Sequence, residues 1–167
     1  MAAVLPTFEQ ALALPRVSGR VIPAEFEDGN GHMNVSHYFG LHGEGLWQMH
    51  RDLGYRAYQG RFGTFAKEQH VRYLREVLVG HEVSVHIGHL GRTPKALCGI
   101  SYLVNVTTGA VANSFEFLAV NVDLESRRPA EFPPEVARVL DESIARTTAA
   151  GIGPEYGVLE LRGAPAL

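Results

Sequence analysis

The run Asp28-Gly29-Asn30-Gly31-His32-Met33-Asn34, with Tyr38 shortly beyond it, brings a carboxylate, an imidazole and an amide into one short stretch. A carboxylate attacks an electrophile or takes a proton from water, and an imidazole passes protons near neutral pH. Gly29 and Gly31 let the backbone turn and approach closely, while Asp-Gly and Asn-Gly are common turn dipeptides, so on the plainest reading Asp28 and Asn30 only form a turn. Asn34 is a good N-cap for a helix starting at Val35. The unpaired N–H groups of Val35 and Ser36 would then point at whatever precedes the helix, reinforced by its dipole. The stretch thus offers a base or nucleophile, Asp28, beside a place for a developing negative charge. His32 and Asn34 are candidates to orient water or donate to a carbonyl. Tyr38 either packs in the core or turns its hydroxyl to a substrate.

The elements that must position this stretch follow from hydrophobic periodicity. Val17 to Phe26 reads as a first strand feeding the motif. From Val35 to Leu53 the apolar set Val35, Tyr38, Phe39, Leu46, Met49 and Leu53 has helical spacing. Gly40, Gly43 and Gly45 each cost a helix about 1 kcal/mol against alanine, which implies close approach to a sheet as compensation. Four strands are expected next: Phe62 to Glu76, Glu82 to His89, Ala96 to Val106, and Val111 to Asp123. Glu82 to Ile87 alternates as a strand with one wet face should, and Val111 to Asp123 is apolar on both faces, as a central strand should be. Thr107-Thr108-Gly109 reads as a hairpin turn. Pro133-Pro134 opens a second helix with the stripe Val136, Val139, Leu140 and Ile144, ending at Gly151. Thr7 to Leu14 reads as a short docking helix.

Composition narrows the class. The chain has 167 residues, 46% hydrophobic and 20% charged, with net charge -3. That fits one domain over 1–167, with a core at about 17–125 and a C-terminal helix at about 134–150. The charge disfavours nucleic acid as a partner, and no apolar run approaches the roughly 20 residues of a spanning helix. The lone Cys98 excludes an internal disulfide and a cysteine-based zinc site, and reads as a small core residue in a cytoplasmic protein. The N-terminus lacks the pattern of a secretory signal. None of the eight histidines has the i, i+4 spacing of a helical metal pair, and His86 and His89 alternate faces of a strand, so no metal is expected.

Asp28-Gly29-Asn30-Gly31-His32-Met33-Asn34 with Tyr38 resembles the D-x-x-G-H-x-N-x-x-x-Y stretch of hot-dog acyl-CoA thioesterases of the 4-hydroxybenzoyl-CoA thioesterase type. Val71 to Glu76 followed by Gly80 resembles that family's second strand, and Asn121-Val122-Asp123 with Arg127-Arg128-Pro129 and Pro133 resembles its final strand and exit. The resemblance implies an α+β hot-dog fold, an antiparallel sheet wrapped around a long central helix. It also implies an acyl-CoA substrate hydrolysed to free acid and coenzyme A, with Asp28 as nucleophile or general base and no cofactor beyond the substrate's own coenzyme A. A homodimer or homotetramer is implied, with sites between subunits.

Other residues bear on the same site. Glu44, mid-helix, is either a buried acid suited to proton transfer or a solvated one. Glu68 beside Lys67 reads as surface, and Arg127 and Arg128 either bind coenzyme A phosphates or form a solvated strand exit. Two other functions compete: a hot-dog dehydratase or hydratase using His32 and Glu44, and a non-catalytic acyl-CoA-binding domain. The Asn-Gly-His-Met-Asn variant looks most like thioesterases associated with carnitine and betaine metabolism. Tyr38, Phe39, Trp47 and Tyr73 would form an aromatic cage for a trimethylammonium group.

Overall fold

The computed structural model describes residues 4–53 and 61–161. Helix α1 (Phe8–Ala13) is capped by Thr7, whose hydroxyl accepts from the Gln10 N–H while the Gln10 amide answers the Thr7 N–H. Strand β1 covers Arg16–Val21, not Val17 to Phe26, because Pro23 interrupts the ladder and Ala24–Phe26 coil into a 3-10 turn. Then come α2 (Val35–Asp52), β2 (Phe62–Tyr73), β3 (Glu82–Arg92), β4 (Ala96–Asn105), β5 (Ala110–Asp123), the short β6 (Arg128–Pro129) and α3 (Pro134–Ala149). The sheet is antiparallel in the order β1-β3-β4-β5-β2, with β6 on β5. As expected, β5 is central and buried on both faces.

Helix α2 lies on the inner face of this sheet, where Tyr38, Leu41 and Met49 join Val83, Val85, Ile87, Phe115 and Phe117 in the main core. Of its glycines only Gly45 is required by that contact: a Cβ there would sit 2.9 Å from side chains of both Val17 and Val85, whereas Gly40 and Gly43 face open space. The outer face is covered by α1 and the C-terminal segment around Tyr156, against Cys98, Ile100, Tyr102 and Leu118. Burial pushes the Cys98 thiol up to about 11, as befits a core residue.

Two expectations about polarity change. Strand β3 has no wet face, because Ser84 and His86 are buried: Ser84 Oγ lies 2.9 Å from His86 Nε2, and the Leu14 carbonyl lies 2.9 Å from His86 Nδ1. The buried stripe of α3 is Val136, Leu140, Ser143 and Thr147 instead of one ending at Ile144. Gly88 leaves room for Thr147, and the Ser143 hydroxyl lies 2.8 Å from His89 Nδ1.

The deepest polar link ties α2 to the strands. His42 is fully buried, with Ser101 Oγ at 2.7 Å from Nδ1 and Asn113 Oδ1 at 2.7 Å from Nε2, and its ring stacks on Phe115. The two partners fit a neutral ring that donates from Nε2 to the amide oxygen and accepts the serine proton at Nδ1. Burial holds His42 down at about 4 and His89 at about 3. An unfolded histidine gains its proton near pH 6.5, whereas these folded rings do not, so stability is complete above pH 6.5 and drains as pH falls toward 4. The expected loss is on the order of 2 kcal/mol per ring by pH 5. Urea unfolding at pH 7 and pH 5 measures it, and His42→Gln, although less stable overall, should show a shallower pH dependence. An unchanged slope in that variant would rule out the buried ring as its source.

Candidate active site

The motif forms a closed loop between strand-like clips. Glu27 and Met33 bridge across it, the Asp28 N–H donates to the His32 carbonyl at 3.0 Å, and the Gly31 N–H donates to the Asp28 carbonyl at 3.1 Å. Inside it the Asp28 carboxylate accepts the Asn30 N–H at 2.8 Å. Gly31 has φ +79°, which a side chain would strain, while Gly29 is neither in that region nor crowded. The loop is anchored outward as well: the Met33 N–H donates to the Val77 carbonyl at 2.7 Å, the Asn34 N–H to the Phe26 carbonyl at 2.8 Å, and the Phe26 ring stacks on His37.

Asn34 then caps α2. Its Oδ1 accepts the Ser36 N–H at 2.9 Å and the Ser36 hydroxyl at 2.8 Å. This consumes one of the two backbone donors expected to face a ligand. The Val35 N–H has no protein acceptor among the described residues.

These pieces border a cavity of about 340 Å³. Asp28, His32 and Met33 enter from the loop, Val35 and Tyr38 from α2, and Tyr73, Leu74, Arg75 and Glu76 from the end of β2. The Asn30 N–H holds the Asp28 carboxyl below its ordinary range against the opposing effect of desolvation, with His32 assisting, so Asp28 is ionised at neutral pH. His32 Nδ1 sits 3.5 Å from Asp28 Oδ1 and 3.4 Å from the Met33 carbonyl, near enough to exchange a proton yet firmly bonded to neither. Tyr38 is buried, its hydroxyl supported by the Val77 backbone, and meets Tyr73 edge-on at 5.2 Å.

Of the residues singled out from sequence, Asp28, His32, Val35 and Tyr38 are brought together, and Asn34 and Ser36 stand behind them as the cap. Glu44 does not join them: its side chain is 54% exposed and pairs with Arg20 at 2.5 Å on another face of α2. The aromatic cage also disperses. Phe39 leans edge-on against Phe115, and Trp47 carries the Arg51 guanidinium over its ring, which leaves only Tyr38 and Tyr73 at the cavity. Glu68 is exposed on β2, and Arg127 lies over Phe65 near the opposite end of that strand from Tyr73. Arg75 and Glu76 were not singled out as site residues. Their signal was position, immediately after Tyr73 where β2 ends beside the motif.

The sequence profile of the thioesterase-like superfamily matches residues 22–140. The chain belongs to that superfamily. It is 30% identical over 118 residues to the L-carnitine dehydrogenase/betainyl-CoA thioesterase of Agrobacterium fabrum (strain C58 / ATCC 33970), a match covering 68% of this chain and 24% of that protein. The chain thus matches about a quarter of that relative's length. Among solved structures, a protein from Pseudomonas putida KT2440 superposes with TM-score 0.75 at 22% identity, covering 90% of this chain and 98% of that one. SAV2348 of Staphylococcus aureus, solved in complex with CoA, superposes with TM-score 0.71 at 20% identity, covering 80% and 86%. These likenesses show the hot-dog fold, a curled antiparallel sheet with the central helix packed in it.

The loop's geometry gives the two glycines of the motif different weights. Gly31→Ala should cost about 1 kcal/mol or more because of its left-handed backbone, and Gly29→Ala should cost little. Thermal unfolding of the two variants tests this, and equal losses would contradict the assigned backbone.

Proposed function

We propose that this chain is an acyl-CoA thioesterase, hydrolysing a thioester to the free acid and coenzyme A. The observation that carries the reading is an ionised Asp28 carboxylate beside the unpaired Val35 N–H at the start of α2, in one cavity with room for an acyl group. A thioester carbonyl placed between them is attacked by Asp28 directly or by water that Asp28 deprotonates. The oxygen then becomes an oxyanion, and the Val35 N–H and the helix dipole are fixed where that charge develops. The tetrahedral centre collapses by expelling the coenzyme A thiolate. Attack by water gives the free acid at once, whereas attack by Asp28 leaves an acyl anhydride on its carboxylate, which water then cleaves to the free acid and regenerated Asp28. His32, in reach of Asp28, holds or returns the proton. Coenzyme A enters as part of the substrate.

For the acyl group, the Tyr38–Tyr73 pair with Asp28 and Glu76 favours a short chain ending in a cation, in keeping with the betainyl-CoA activity named for the Agrobacterium relative. Glu44, paired to Arg20 away from the cavity, is not assigned a role, which removes the acid that a His32/Glu44 dehydratase would use. Self-association into a homodimer or larger homo-oligomer completes the proposal, because β2 leaves a long sheet edge.

A thiol-release assay over acetyl-, benzoyl- and short trimethylammonium-acyl-CoA tests both levels. Free thiol should appear with wild type and fall about 10²–10⁴-fold with Asp28→Asn, while Glu44→Gln should stay within about twofold. Trimethylammonium-acyl-CoA should turn over fastest. Turnover no faster than acetyl-CoA removes the cation preference, and no thiol release from any member removes the thioesterase reading.

A further inference from the structure

We propose that residues 157–161 form a strap over the outer face of the sheet, latched by one buried carboxylate, Glu116, and that Tyr102 is the partner this carboxylate takes when the strap lifts. The strap lies beyond residues 22–140, which match the superfamily, so it does not follow from membership.

Up to Tyr156 the C-terminal segment is fastened to the N-terminal one. The Val4 N–H donates to the Glu155 carbonyl at 3.1 Å, and the Gln10 amide donates to the Tyr156 hydroxyl at 3.0 Å. Beyond Gly157 the chain joins no strand, and among the described residues its backbone is fastened by one side chain. The Val158 N–H donates to both Glu116 oxygens at 2.9 and 2.8 Å, and the Leu159 N–H donates to Oε1 at 2.6 Å. Gly157 makes room for this, because a Cβ there would collide with the Glu116 carboxylate. Under the strap lies a cavity of about 680 Å³, with Leu90 and Cys98 on the sheet side and Val158, Leu159 and Leu161 on the other. It shares no lining residue with the Asp28 cavity. A segment without a ladder, roofing a void and held at one point, is the kind that opens locally while the rest of the fold stays closed.

Lifting such a strap ordinarily leaves the buried carboxylate without donors, at a cost that keeps it shut. Glu116 is 3% exposed, and His70 Nδ1, across from it on β2, is 3.9 Å away and too far to bond. Tyr102 changes that balance. It is fully buried, yet its hydroxyl finds no hydrogen-bond partner among the described residues. The β4–β5 register sets Ile100 opposite Glu116 and Tyr102 opposite Ser114, so Tyr102 is the diagonal neighbour of Glu116. Diagonal Cβ atoms are roughly 7–8 Å apart, within reach of a tyrosine and a glutamate. Burial above all, with the Glu116 charge adding to it, pushes the phenol upward, so the hydroxyl stays a donor. Closed, the carboxylate serves the strap and the hydroxyl is idle. Open, the hydroxyl serves the carboxylate, and the two arrangements come close in free energy.

Cys98, the one cysteine of the chain, lines the cavity and reports its opening. Its labelling by an aromatic disulfide, followed at fixed pH with urea kept below the unfolding transition, should be slow in wild type and nearly flat in urea, because lifting a few residues exposes little surface. Glu116→Gln should label about tenfold faster or more, since the charge-assisted hydrogen bonds are lost. Gly157→Ala, whose methyl group pushes the strap off the carboxylate, should act in the same direction. Tyr102→Phe should label severalfold slower, because it removes the partner of the open state alone. A wild-type rate that climbs with urea as steeply as global unfolding overturns the strap. Glu116→Gln and Gly157→Ala both within about twofold of wild type overturn the latch. A Tyr102→Phe rate equal to wild type or faster overturns the alternative partner.

Discussion

The constraint on which the rest of this structure depends is the seating of α2 on the inner face of the sheet. A helix can lie that close to strands only where its side chains are small or its polar groups are matched, and this chain uses both devices. Gly45 removes a side chain that would strike Val17 and Val85, and His42 enters the sheet only because Ser101 and Asn113 meet both of its ring nitrogens. A buried ring left unmatched would cost several kcal/mol, so the triad fixes one azimuth of the helix as well as its depth.

Fixing α2 fixes the cavity, because the helix start is also one of its walls. Loop, cap and strand end are joined by short backbone links: Met33 to Val77, Asn34 to Phe26, and Ser36 to the Asn34 side chain. None of these links uses the groups assigned to chemistry. The Asn34 amide satisfies Ser36 and leaves the Val35 N–H open, and the Asn30 N–H keeps Asp28 charged without neutralising it by an ion pair with Lys or Arg. Rigid positioning of a charged group beside an unfilled donor is the arrangement that lets electrostatic stabilisation act without reorganisation.

Much of this was legible in the sequence, and the exceptions share a cause. Spacing located the central helix and the following strands to within a few residues, and the Asp28–Asn34 motif located the loop. The strand expected through Phe26 ended early because a single Pro23 outweighs the surrounding alternation. The wet face expected on β3 disappeared because Ser84 and His86 are polar by type but buried by α1 and α3, elements distant in sequence. Gly40, Gly43 and Gly45 read alike along the chain, yet only one meets the sheet, since azimuth about the helix depends on packing as well as period. Glu44 was ambiguous for the same reason, and Arg20 on β1, the partner that settles its placement, lies outside the helix altogether.

Charge is divided in a way that links core and site. The buried histidines are held neutral by desolvation, whereas Asp28, at the surface of the same α2 assembly, is held ionised by a backbone donor. Desolvation and hydrogen bonding act in opposite directions on these groups, and each dominates where the structure needs it. The cavity's charged group and its open donor come from one loop and one helix end, whereas its aromatic side is Tyr38 on α2 and the half-exposed Tyr73 at the end of β2.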